Sequence, residues 1–342
     1  MDIDILTPEE LNQLTQLIET NDHIIICCHK SPDGDALGSS LALAEYLRQK
    51  GKEPLVVVPD AYPDFLRWLP NTEKVVRYDK HQEAMDLELQ QEGLVFCLDF
   101  NESSRTDSMQ AALDSSPARK VLIDHHLNPS MDAVLTLSRP EMSSTSELLF
   151  RIIWQMGGFE LMNRKCAVPL YCGMMTDTGG FTYNSNRPEL FHIIGLLLTK
   201  QIDKDKIYRN VYNTLSAWAV RLRGYIMCHK LNVFADYNAS YFALSKKEMA
   251  DFHFIKGDAE GLVNEPLRIK GMKLSISLRE DDRKENLVWV SLRSVDDFPC
   301  NEMAARYFNG GGHLNASGGK LYCTLEEAEK TVRKAIMETM GH

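Results

Sequence analysis

A chain of 342 residues that is 44% apolar and 25% charged can build two ordinary domains with separate cores, and its composition excludes a disordered or fibrous protein. A net charge of −10, with no Lys/Arg block or basic tail, argues against a general binder of long nucleic acid. No apolar run approaches bilayer length, the first residues are acidic rather than signal-like, and the eight cysteines form no C-x-x-C pair, so a reduced cytoplasmic protein without membrane contact is expected.

In chain order, residues 8–20 predict an amphipathic helix with Thr7 as N-cap and Pro8 at its first position. Residues 23–28 are continuously apolar, end at His29, and read as a strand buried on both faces. A polar turn over 30–35 leads into a helix over 36–50. Further strands are expected over 55–59, 94–99 and 121–124, the last two apolar up to a terminal aspartate. Helical patterns lie between them. The alternation predicts an α/β domain over residues 1–202, a mostly parallel sheet flanked by helices. Its later part holds helices over 143–157, 164–176 and 187–199, with a turn over 177–181. Residues 203–229 are helical and charged, and are expected as a connector. Residues 230–342 change texture. Short alternating strands over 231–235, 241–244, 272–278 and 288–293, a Gly-rich turn over 310–312 and a last helix over 325–340 predict a smaller α+β unit with a mixed sheet.

Ligands of open α/β sheets bind beyond the carboxyl ends of the strands. Just past the apolar runs stand His29, Asp33, Asp35, Asp99, the run Asp124-His125-His126, and Asp177. Singly, each has an ordinary explanation: Asp33 as a helix N-cap, Asp99 as a strand-end turn residue, the histidines as a surface turn. Together they bring imidazoles and four carboxylates to one sheet edge, where the negative charges would repel one another and raise their pKa values. Two divalent cations would neutralise them. Oxygen and imidazole donors suit Mn²⁺ first, with Mg²⁺, Co²⁺ or Fe²⁺ as alternatives. Two such ions roughly 3.5–4 Å apart clamp an in-line phosphoryl displacement, with the hydroxide between them as nucleophile. No Walker loop or G-x-G-x-x-G follows the first strand, which argues against ATP hydrolysis or a bound dinucleotide cofactor.

The His-x-x-x-Asp-x-Asp spacing at 29–35, Asp99, Asp124-His125-His126 and Asp177 resemble, in order, the motifs of the DHH phosphoesterase family. Downstream, residues 310–319, with Gly310-Gly311-Gly312-His313 and the later Ala316, Gly318 and Gly319, resemble the signature of the DHHA1 substrate domain. So do residues 291–294 and 260–264. The resemblance covers nearly the whole chain. It implies His29 and Asp33 on one metal, Asp35, His125 and Asp177 on the other, and Asp99 bridging both. It implies that His126 faces the scissile phosphate as electrostatic stabiliser or proton donor. Arg293, His313 and the backbone N–H groups of Gly311 and Gly312 would receive another phosphate of the substrate, with Arg105 adding charge near the site. Within the family the chain looks most like bacterial nano-RNases that also act on 3′-phosphoadenosine 5′-phosphate. The implied substrate is a small nucleotide or short single-stranded oligonucleotide, not a long duplex. The resemblance leaves two alternatives open: a phosphoanhydride hydrolase of the pyrophosphatase or exopolyphosphatase type, and a non-catalytic nucleotide sensor. A homodimer is the default expectation for assembly.

Overall fold

The computed structural model describes residues 3–255, 257–259 and 261–340, so Glu260 of the 260–264 match lies outside the described residues. The chain forms two compact units, Met1–Thr214 and Leu215–His342.

The first unit is built on strands β1 (Ile24–Cys28), β2 (Leu55–Val58), β3 (Val76–Arg77), β4 (Leu94–Leu98), β5 (Arg119–Asp124) and β6 (Leu135–Ser138). They form one sheet in the order β3-β2-β1-β4-β5-β6, and every neighbouring pair is parallel. The chain leaves β1 toward one edge and returns to its other side at β4, so the order reverses between these two strands. That reversal opens the crevice in which such sheets bind ligands. Register does the rest. Cys28 pairs with Leu98 and Leu98 with Ile123, so the next residues, His29, Asp99 and Asp124, end three adjacent strands side by side.

Among the described residues of this unit, eight α-helices accompany the sheet: α1 (Pro8–Glu19), α2 (Gly34–Gln49), α3 (Gln82–Leu89), α4 (Gln110–Ser115), α5 (Thr145–Gln155), α6 (Arg164–Asp177), α7 (Pro188–Thr199) and α8 (Lys204–Tyr212). Ile24, Ile26 and Cys28 point into the larger core with α2, α5 and α6, while Ile25 and Cys27 point into a second core with Met85, Leu89 and Leu113. Both faces of β1 are therefore covered, which is why its sequence is apolar without alternation. Two strands escaped the sequence pattern. β3 is two residues long and half-buried, and β6 is a short edge strand that alternates buried and exposed.

Helices α2 and α6 approach closely because glycines face the contact. A Cβ at Gly38 would lie 2.5 Å from the Pro169 carbonyl oxygen, and one at Gly173 would collide with Ser146 Oγ of α5 and lie 2.7 Å from Asp35 Oδ1 of α2.

The stretch 203–229, expected as one connector, is two helices in different units. α8 buries Ile207 and Val211 in the first core, whereas α9 (Ala217–Tyr225) packs Leu222 with Phe242 and Leu262 of the second. Its charge pattern is that of surface helices with one apolar face, and the division falls between Thr214 and Leu215.

The second unit is a mixed sheet of β7 (Asn232–Phe234), β8 (Ala239–Leu244), β9 (Leu274–Glu280), β10 (Val288–Ser294), β11 (Gly311–His313) and β12 (Ala316–Leu321), ordered β11-β12-β10-β9-β8-β7. Only β8 and β9 run parallel among these pairs. Helices α11 (Cys300–Tyr307) and α12 (Leu325–Met340) cover one face, and α10 (Lys246–Asp251) brings Met249 to the other face at β8. The Gly-rich segment expected as a turn is instead the start of edge strand β11. Gly312 has φ +142°, and a Cβ there would lie 2.6 Å from the Ala316 carbonyl oxygen, so glycine is needed for this pairing. All eight cysteines are free thiols. Among the described residues, no helix is long and apolar enough to cross a membrane.

The α2–α6 contact yields a stability prediction. Gly173→Ala should destabilise the protein by about 1–3 kcal/mol through overpacking. Gly195→Ala, at an exposed position of α7 with open space around it, should stabilise by about 0.5–1 kcal/mol. Urea midpoints at constant m-value check both; an unshifted midpoint for Gly173→Ala would mean that the helices are not in close contact.

Candidate metal centre

Each donor reaches the site through a local backbone cause. His29 follows the last residue of β1, and its Nδ1 donates to the Lys30 carbonyl at 2.8 Å. A carbonyl only accepts, so Nδ1 carries the proton and Nε2 is left as the donor facing the site. His125 has the same arrangement, with Nδ1 at 3.3 Å from the Met142 carbonyl. Asp33 caps α2, its Oδ1 accepting from the N–H groups of Asp35 and Ala36, while its Oδ2 lies 3.7 Å from His29 Nε2. The capping role and the site role thus use different oxygens of one carboxylate.

Asp99 leaves β4 with φ +66°, a conformation few non-glycine residues adopt. Its N–H donates to the Ile123 carbonyl, and Thr145 Oγ1 donates to its Oδ1 at 2.9 Å. Oδ2 lies 3.5 Å from His29 Nε2, and Oδ1 lies 3.6 Å from His125 Nε2. Asp35, in the first turn of α2, is buried. Its oxygens accept from the N–H groups of Thr145 at 2.6 Å and Ser146 at 2.9 Å, which open α5. Asp177, expected in a turn, is the last residue of α6, with Oδ2 3.3 Å from His125 Nε2. His126 Nδ1 donates to the fully buried Asp124 at 2.7 Å and lies 3.8 Å from Asp99 Oδ1.

Two donor triplets result, His29–Asp33–Asp99 and Asp35–His125–Asp177, each with candidate ligand atoms within 4.8 Å of one another. Asp99, His125 and His126 satisfy the same criterion. The charges respond to the crowding. Burial, then the charges of Asp99 and Asp177, push the Asp35 carboxyl well above its ordinary range. Burial and the charges of Asp33 and Asp99 do the same to Asp177. Burial works against ionised Asp99, but the His29 hydrogen bond and the three imidazoles outweigh it and hold this carboxyl low. Desolvation likewise opposes the imidazolium of His29, and Asp33 and Asp99 outweigh it, so His29 is raised well above its ordinary value. An all-oxygen-and-nitrogen pocket that raises two of its four carboxyls, Asp35 and Asp177, is one that divalent cations fit.

Sequence reasoning missed the support behind these donors. Glu147 is fully buried in α5. One oxygen accepts from Arg151 and, at 2.6 Å, from Arg187, and the other accepts from the N–H and hydroxyl of Ser143. It fixes the loop whose next residues hold Asp35 and Asp99. The signal was present as Ser144-x-x-Glu147 before an apolar run, a capping-box spacing. Asp124, read from the sequence as a strand-terminal aspartate and part of a tripeptide but given no role, orients His126.

The other expected site residues are not members of these donor groups. The Arg105 carbonyl accepts from the Lys30 N–H at 2.8 Å, tying its segment to the residue after His29, while its side chain is exposed. Arg293, Gly311, Gly312 and His313 lie in the second unit. Arg293 on β10 pairs with Ala316 on β12, which pairs with His313 on β11, so the arginine and histidine share a row and a face. Because β11 is a strand, the N–H groups of Gly311 and Gly312 alternate in direction rather than converge.

The fold and this acidic, histidine-lined cluster define a phosphoesterase. The chain belongs to the DHH family: the model described as DHH family, N-terminal domain, matches residues 23–174, and the DHHA1 domain matches residues 239–341. Asp177 lies just past the first match. Among its relatives, the bifunctional oligoribonuclease and PAP phosphatase NrnA of Bacillus subtilis is 27% identical over 331 residues, 96% of this chain and 97% of that protein. The protein of the same name from Thermus thermophilus is 27% identical over 318 residues, 93% of this chain and 90% of that one. The crystal structure of an exopolyphosphatase-related protein from Bacteroides fragilis superposes with a TM-score of 0.95 at 48% identity, covering 98% of each chain.

The electrostatics predict a pH-dependent stability without metal. His29 and His125, both raised, bind protons more tightly when folded. Their stabilisation is complete below the ordinary histidine value of 6.5 and is lost as pH rises through the raised one. Asp35 and Asp177, also raised, act in the same direction; Asp33 and Asp99, lowered, lose stabilisation only in acid. Chelator-treated protein should therefore have a lower Tm at about pH 8 than at about pH 6, and added Mn²⁺ should raise Tm more at the higher pH. A Mn²⁺ effect that shrinks with pH would contradict the assignment.

Proposed function

We propose that this protein is a metal-dependent phosphodiesterase and phosphatase that hydrolyses short oligoribonucleotides, dinucleotides and 3′-phosphoadenosine 5′-phosphate. The observation that carries the reading is Asp99, whose two oxygens face different imidazoles at 3.5 and 3.6 Å. His29, Asp33 and Asp99 would hold one cation; Asp35, His125, Asp177 and Asp99 would hold the other. Mn²⁺ suits these oxygen and imidazole donors best. When bound, the cations would activate water and offset charge at phosphorus.

The chain's own residues do the rest. Asp99 and Asp35 are held against rotation by Thr145 and the start of α5. His126 has Nδ1 committed to Asp124, so any proton it delivers to the leaving oxygen is one held at Nε2. Arg293 and His313, with the Gly311–Gly312 edge, would take the substrate's other phosphate, and Arg105 would add positive charge at the rim. The relatives' two named activities, oligoribonuclease and PAP phosphatase, support this substrate class.

A phosphoanhydride substrate is the second reading, favoured by the name of the Bacteroides fragilis structure. Against it, Lys30 is already paired with Asp107 and Arg187 with Glu147, which leaves less positive charge for a compact polyanion.

A Mn²⁺-supplemented panel separates the readings: an RNA dinucleotide, a five-residue RNA, 3′-phosphoadenosine 5′-phosphate, cyclic di-AMP and pyrophosphate, each with and without chelator. Chelator-sensitive turnover of the short RNAs and the bisphosphate is expected. Turnover of pyrophosphate alone would select the phosphoanhydride branch, and binding without turnover of anything would select a sensor. Asp99→Ala should lower kcat by at least about 100-fold and reduce bound metal. Activity within tenfold of the parent would refute a shared ligand.

A further inference from the structure

The second sheet carries chemistry that a phosphate grip at Arg293 and His313 leaves unused. On β10, Val288, Val290 and Leu292 point into the core, so Trp289, Ser291 and Arg293 point to the opposite face. Near β8 that face is covered by Leu222, Ile226, Met249 and Leu262. Toward β12 and β11 its residues are half-buried, as Ser291 and Arg293 are, or exposed, as Lys320 and His313 are. Register sets what lies there. Trp289 is directly opposite Lys320 on β12 and Arg279 on β9. Ser291 is opposite Gly318 and Ser277, and Arg293 is opposite Ala316. Opposed residues share a face, so one surface runs from the Arg293–His313 row over small residues to a Lys320–Trp289–Arg279 row. Four residues of strand separate the two rows, roughly 13 Å.

Trp289 is 40% exposed in the middle of a row flanked by cations. Its ring does not turn freely. The indole N–H donates to Asp281 Oδ2 at 2.7 Å, and Asp281 Oδ1 accepts the N–H groups of Arg283 and Lys284 in the same hairpin turn. One edge of the indole is thereby tethered, while the residue as a whole stays 40% exposed. Lys320 is exposed, and the Arg279 guanidinium is steadied over the Phe254 ring at 5.7 Å. A fixed aromatic plane between two cations fits a stacked base and its adjoining phosphate.

We propose that Trp289, Lys320 and Arg279 form a second nucleotide subsite, which binds a base and phosphate of a short single-stranded oligoribonucleotide. The proposal rests on the reading that Arg293 and His313 hold substrate phosphate. A bisphosphate held there ends before Trp289; a five-residue RNA reaches it. The subsite therefore sets a preference for chain length.

The test compares the full-length parent with Trp289→Ala, Trp289→Phe and Lys320→Ala in Mn²⁺, on the five-residue RNA and on 3′-phosphoadenosine 5′-phosphate. Trp289→Ala should raise the ratio of KM for the RNA to KM for the bisphosphate by about tenfold, the scale of one base–aromatic stack, and Trp289→Phe should restore most of it. Lys320→Ala should raise the same ratio, by less at high salt. An unchanged ratio in Trp289→Ala, or equal rises on both substrates, would overturn the subsite. Anisotropy of a labelled five-residue RNA on chelator-treated protein reads it without catalysis: about tenfold weaker binding by Trp289→Ala is expected, and equal binding refutes it. If the parent binds the RNA through Trp289 but hydrolyses neither substrate, the hydrolase reading falls and the subsite stands.

Discussion

The repulsion among four carboxylates gathered at one sheet edge is the constraint around which the first unit is arranged. Asp35 is buried and answers to two N–H groups at the start of α5, where the helix dipole favours negative charge. That helix start is fixed by Glu147, itself a buried carboxylate, which is neutralised by Arg151 and Arg187. Gly173 leaves the room that Asp35 occupies. Asp99 accepts an uncommon backbone conformation to stand between His29 and His125. Removing one of these supports shifts a donor rather than a mere contact, because each support touches a site residue or the loop that carries one.

Chemistry is divided between the units. The first holds the acidic cluster together with His29, His125 and His126. The second presents a sheet face with arginine, histidine, lysine and an exposed indole on one side and an apolar core on the other. In a chain with net charge −10, four acidic side chains gather at one sheet edge of the first unit, while Arg279, Arg293, His313 and Lys320 share one face of the second sheet.

Much of this was legible before folding. The apolar runs at β1, β4 and β5 are buried on both faces, which makes them continuous and easy to see. Polar residues that end such runs stand out, and His29, Asp99 and His125 were found that way. The edge strands β3 and β6 were missed because two or four half-covered residues carry little pattern. The Gly310–Gly312 run suggested a turn because glycine weakens strands; only the close approach of β12 explains why glycine sits in a strand there. The 203–229 stretch looked like a connector because charge hides single apolar faces that belong to two cores.

By itself, the sequence determined the α/β and α+β classes, the order of the motifs and the kinds of donor, because hydrophobic period and residue chemistry are local properties. Only the tertiary structure decided the strand order that sets β1 beside β4, the register that aligns His29, Asp99 and Asp124, and which oxygen of Asp99 meets which histidine. It alone revealed that Thr145 and Glu147 hold the donor residues and their loop in place, and that Trp289 stands exposed on the second sheet. Those relations join residues far apart in the chain through pairing and packing, and no local pattern encodes them.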